Sequence, residues 1–211
     1  MLPSCCNQPE PAVRQGPTRL RPALIWAGVG LGVTLPLIAA AASPLLAWRS
    51  GIYIASGFAG IFAMGLLLLQ PLLATNALPG LHPIRARQSH RGVGALLVGA
   101  VVAHVIGLWI TSPPDVIDAL LLSSPTPFSI WGVTAMWAVF CAAALAVVRR
   151  HLRLAIWRAL HISLAVLIVA TTVAHVALID GTMEIVTKIG LSVLVGAATA
   201  RMVYLKLPRR G

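Results

Sequence analysis

The chain has 211 residues, 58% of them hydrophobic and only 10% charged, with a formal net charge of +11. Soluble domains carry about 45–50% apolar and about 25% charged residues, so this composition excludes that class and leaves an integral membrane protein. The basic excess does not point to nucleic acid: the Lys and Arg residues lie in short clusters between apolar runs, where they set membrane orientation and meet anionic headgroups.

Residues 1–21, rich in Pro, Gln and Arg, read as a disordered basic tail in which the adjacent Cys5 and Cys6 have no assigned role. A first span is expected from about Pro22 to Trp48, with Trp26 and Trp48 near opposite interfaces and Pro36 and Pro44 kinking or shortening it. Its Gly28-Val29-Gly30-Leu31-Gly32 follows no strand, so the glycines read as sites of close helix packing rather than a nucleotide loop. A second span, about Ile52 to Ala77, leads into a connection carrying Arg85, Arg87 and Arg91. The third, about Gln88 to Ile110, contains His90 and His104, and Gly94 on the His90 face is expected to leave room beside the first imidazole. The loop at 111–127 holds Asp115 and Asp118, and its VIDALLL is expected to lie as a short surface helix. A fourth span, about Phe128 to Val148, includes Cys141 as a small packing residue and ends at Arg149-Arg150-His151-Leu152-Arg153. The fifth, about Leu154 to Ile179, carries His161 and His175; the sixth, about Ile185 to Leu205, has Lys188 and Arg201 reaching toward the interfaces. His82 and His151 read as solvated loop residues among arginines.

The expected fold is thus an all-α integral membrane bundle of six helices. A basic tail (1–21) precedes the six-span domain (22–205), and a short basic C-terminal tail (206–211) follows it. Fourteen of the sixteen Lys and Arg fall in the termini, the second-to-third connection and the fourth-to-fifth connection, which places both termini in the cytoplasm. The expected location is the bacterial inner (plasma) membrane.

The histidines carry the chemistry. His90 and His104 are fourteen residues apart, and so are His161 and His175. Fourteen helical steps of about 100° come within about 40° of four full turns, so each pair lies on one face, about 21 Å apart along the axis. The third and fifth spans run in the same direction, which pairs His90 with His161 and His104 with His175 at two depths. Zinc or di-iron normally requires further Cys, Asp or Glu ligands, whereas haem brings four nitrogens and needs only two axial imidazoles. With no CxxCH motif, the haems are expected to be non-covalent, of b type, and two are expected. Each ligand is expected to donate its other ring N–H to a carbonyl of its own helix. Arg85, Arg87, Arg91 and Arg158 lie where they can pair with haem propionates. The alternatives are a proton or metal transporter using the histidines without haem, and a structural scaffold.

Six spans with His-x13-His in the third and fifth, in the contexts WRALH and VAHV, resemble the ferric reductase-like transmembrane domain family. That family includes ferric reductases, NADPH oxidases and the haem-binding membrane subunit of the methionine sulfoxide reductase system. The resemblance is strongest from about His90 to Thr182. It implies electron transfer across the bilayer through b haems and, by motif match, His90, His104, His161 and His175 as axial iron ligands. The chain differs from the oxidases in lacking a strand-glycine-helix unit for flavin or nicotinamide. It differs from the sulfoxide reductase subunit in its full set of four histidines. The implied protein is the electron-transfer haem subunit of an oxidoreductase. Its expected partners are a cytoplasmic flavoprotein reductase or quinol donor, through which flavin or quinone takes part, and a periplasmic acceptor.

Overall fold

The computed structural model describes residues 20–206. The two expected tails, with Cys5 and Cys6, lie outside the described residues except for Leu20, Arg21 and Lys206, which are helical.

Among the described residues there are seven α-helices, and six of them are long and apolar enough to cross a membrane: α1 (Leu20–Ala41), α2 (Gly51–Ala74), α3 (Pro83–Thr111), α5 (Ser129–Val148), α6 (Leu154–Leu178) and α7 (Ile185–Lys206). The remaining helix, α4 (Pro113–Leu120), is the short element expected after the third span, starting three residues earlier than VIDALLL. No strand occurs among the described residues. Closure of every backbone hydrogen bond within its own helix is what a bilayer demands of a spanning segment.

Local chemistry fixes the boundaries. Pro36 is accommodated inside α1, whereas Pro44 begins a separate 3₁₀ turn, Pro44–Leu46, so the first span is shorter than expected. The Ser50 side chain caps α2 by accepting from Tyr53 N at 3.3 Å. At the far end of α2, Thr75 Oγ1 donates to the Pro71 carbonyl at 2.8 Å, and Asn76 turns the chain with φ 52°. Pro83 opens α3, and His82 is its cap, accepting from Ile84 N at 3.5 Å. His82 is therefore a structural terminus rather than a bare loop residue. The Glu184 carboxylate starts α7 by accepting from Val186 N and Thr187 N, each at 2.9 Å.

The core lies along α2, where Met64, Leu66, Leu67 and Leu68 are buried against Leu97 of α3 and Val195 of α7. α3 packs chiefly on α2, and α6 chiefly on α5, while α2 and α6 both also meet α7. Elsewhere the surface is apolar: Leu24, Leu31, Ile38, Val147, Val186 and Val193 are exposed, as lipid-facing side chains must be. Trp48 is fully exposed at one end, and Trp26 near the other donates from Nε1 to the Pro79 carbonyl at 3.1 Å.

Three packing expectations need correction. Of the glycines in α1, only Gly32 sits at a close approach, with Leu194 and Leu68 at 3.3 and 3.4 Å from where a Cβ would be; Gly28 and Gly30 face open space. Cys141 is exposed on α5, because its position falls on the outward side of that helix. Lys188 does not extend to an interface. It is buried at 6% exposure and donates from Nζ to the Ile179 carbonyl at 2.8 Å, placing its charge on the negative end of α6.

Candidate functional site

The α2–α3 and α5–α6 pairs set the four span histidines between them, and α3 and α6 are not themselves a closely packed pair. His90 on α3 and His161 on α6 meet with ring centroids 6.2 Å apart and ring planes at 72°. Fourteen residues further along the same helices stand His104 on α3 and His175 on α6. All four are partly buried. The facing of His90 and His161 read from the sequence is the one found.

What orients the rings was not legible in the sequence. His104 Nδ1 donates to the Ser56 carbonyl at 2.8 Å, and Ser56 Oγ returns a bond to the His104 carbonyl at 2.6 Å. His90 Nδ1 donates to the Gln70 carbonyl at 3.2 Å, and His175 Nδ1 to the Phe128 carbonyl at 2.9 Å. These carbonyls belong to α2 and to the start of α5, not to the histidines' own helices. Ser56, Gln70 and Phe128 come from neighbouring elements at the height of each ring, and a helix carbonyl, like that of Phe128 which also accepts from Gly132 N at 3.1 Å, has a second lone pair to offer. His161 Nδ1 has no protein partner; its ring instead stacks on Trp157, with centroids 5.3 Å apart and planes 13° apart.

Glycines allow the close approach. A Cβ at Gly60 would lie 3.0 Å from His104 Nδ1, and one at Gly132 would lie 2.7 Å from His175 Nδ1. Gly94, expected to leave a gap beside His90, instead faces the Gln70 side chain, whose Nε2 would be 3.4 Å from a Cβ there. An apolar helix interrupted by glycine was the available signal for Gly60 and Gly132; backbone carbonyl acceptors such as Gln70 and Phe128 leave none.

A proton fixed on Nδ1 by a carbonyl leaves Nε2 with a free lone pair, the form a metal accepts, and this holds for His90, His104 and His175. Two imidazoles on opposite sides of one metal, with bonds of about 2.0 Å and about 1.1 Å from nitrogen to ring centre, put the centroids about 6.2 Å apart. The His90–His161 separation of 6.2 Å matches that span. Among the described residues no group of three or more His, Cys, Asp or Glu converges; each level offers two imidazoles, a set suited to a metal that brings its own equatorial nitrogens.

Arg91 and Arg158 are exposed, adjoining His90 and His161 in sequence at the same end of the bundle. Arg149 lies over the Trp157 ring at 5.0 Å. His151 is exposed and accepts from Arg150 Nε at 3.1 Å.

No curated protein and no solved structure matches the chain. The family model of the ferric reductase like transmembrane component matches residues 56–172, from Ser56 beneath His104 to the turn before His175. The chain belongs to the ferric reductase-like transmembrane family and is a membrane redox subunit.

Proposed function

We propose that this protein carries electrons across a bilayer through two b-type haems, one held by His90 and His161 and the other by His104 and His175. The observation that carries the reading is the 6.2 Å between the His90 and His161 rings, the width of a bis-imidazole iron site. When bound, haem would supply a one-electron couple, with His90 and His161 holding one group and His104 and His175 the other, a donor set that suits electron transfer.

The chain's own residues do the rest. Ser56, Gln70 and Phe128 hold the protons of three ligands on Nδ1, so that the opposite nitrogen is presented in a fixed orientation. Gly60 and Gly132 let α2 and α5 close over the rings, and Trp157 covers the fourth. A relay avoids moving a solvated ion through hydrocarbon, which would be far costlier. Arg91 and Arg158 stand at the basic end, where by the distribution of charge we place the cytoplasm and both termini. The donor is then a cytoplasmic flavoprotein or a quinol, the acceptor a protein on the far side, and the membrane the bacterial plasma membrane.

The test is a reduced-minus-oxidised spectrum with haem quantification on purified protein. The expected result is a b-type α band and two haems per chain, lost when all four histidines are replaced by alanine. A protein without the band, or a band that survives the fourfold replacement, rejects the reading.

A further inference from the structure

Among the described residues, the buried side-chain polar atoms without a partner are Gln70 Nε2, Trp157 Nε1, His161 Nδ1 and Thr199 Oγ1. The first three cluster at the His90/His161 level. Gln70 lends its carbonyl to His90, and Trp157 stacks on His161, so the two unmatched donors flank the pair from the α2 and α6 sides. At the His104/His175 level the situation differs: both ring Nδ1 atoms and the Ser56 hydroxyl all have partners. A buried N–H without an acceptor is costly, and two beside one site indicate that acceptor oxygens belong there.

The charge around them is one-sided. Arg149 lies 5.0 Å from the Trp157 ring centre, and Arg91 and Arg158 are exposed nearby in sequence. The carboxylates of the described chain, Asp115, Asp118, Asp180 and Glu184, all follow the opposite ends of α3 and α6. The protein therefore supplies donors and cations at this level and no carboxylate of its own to meet them.

We propose that Trp157 and Gln70, with Arg149 behind the indole, form an oxygen-acceptor site at the His90/His161 level and that it receives the propionate carboxylates of the haem held there. This rests on the haem reading above. His161 Nδ1, part of a ligand ring, takes no part in it. A carbonyl of a membrane quinone offers the same acceptor chemistry from another source, and the test separates the two.

The full chain carrying His104→Ala and His175→Ala isolates this level. It is titrated with free-acid haem and with its dimethyl ester, reading the Soret band, alone and with Trp157→Phe, Gln70→Leu or both added. A charge-assisted pair of contacts predicts that the free acid binds about tenfold or more tighter than the ester, and that this preference falls to within about threefold in the double replacement while ester affinity holds. A preference that survives the double replacement overturns the proposal. So does a result in which the replacements leave the preference intact but weaken binding of a short-chain quinone. If Trp157→Phe does not fold, Gln70→Leu and Arg149→Gln are read in its place with the same expectation. Failure of the parent to take up either porphyrin removes the haem reading itself, whereas uptake of both with equal affinity removes this proposal alone.

Discussion

Gly132 makes the tightest contact with a proposed ligand. A methyl there would sit 2.7 Å from His175 Nδ1 and 2.8 Å from Cε1, closer than real side chains approach, so Gly132→Ala must turn the ring and break its bond to the Phe128 carbonyl. Overpacking of this kind costs about 1–3 kcal/mol, and the expected result is loss of the haem at that level only, read as a fall from two haems per chain to one. Gly60→Ala, at 3.0 Å from His104, is expected to do the same more weakly. Glu184 offers a pH prediction. It is fully exposed, and acceptance of the Val186 and then the Thr187 N–H holds its carboxyl below the ordinary carboxylate range. Because the folded value is the lowered one, the cap is fully present above the ordinary carboxylate pKa and is lost as pH falls through the lowered value. With the intrinsic slowing of exchange at low pH divided out, the protection of the Val186 and Thr187 amides should therefore fall on acidification, and Glu184→Gln should remove that dependence. At this scale the sequence was only half legible. The histidines announced themselves by chemistry and spacing, but Gln70, Phe128 and Trp157 act through a carbonyl or a stacking face whose meaning exists only once a second helix is in place.

Helix pairs, rather than single helices, hold the site. α2 and α3 approach closely at Gly107, where a Cβ would lie 2.7 Å from the Ser56 Cβ and 3.4 Å from its Cα. Ser56 in turn holds His104 from both sides, so Gly107→Ala should separate the helices and loosen that ligand together. The expected cost is about 1–3 kcal/mol of stability, measured by thermal unfolding in detergent, accompanied by weaker haem retention at the His104/His175 level. Element boundaries are written in local chemistry but were only partly legible: Ser50 and Glu184 start helices close to where they were expected, whereas Pro83 opens α3 five residues before the expected Gln88, and α1 ends at Ala41, before the 3₁₀ turn at Pro44, instead of running to Trp48. Lys188 was misread for a reason of the same scale. A lone cation near a span end ordinarily extends toward headgroups, but here the carbonyl end of α6 lies within its reach and provides a nearer negative pole. Nothing in α7 alone encodes that neighbour.

For the molecule as a whole, the fourteen-residue repeat in α3 and α6 and the matching direction of those helices create two histidine levels in one bundle. The levels are not equivalent: one has its polar hydrogens satisfied, while the other, at the basic end, keeps unmatched donors. The architecture was legible because the six apolar stretches and the histidine period are global patterns; the asymmetry was not, since it depends on which bonds the folded helices leave unmade. The central claim is that each level holds one haem by one histidine from each helix. Haem counted per chain in two double variants tests it most directly. The same-level variant His90→Ala with His161→Ala should keep one haem, and the cross-level variant His90→Ala with His104→Ala should keep none. Equal counts in the two variants, or a haem retained only in the cross-level one, would contradict the account.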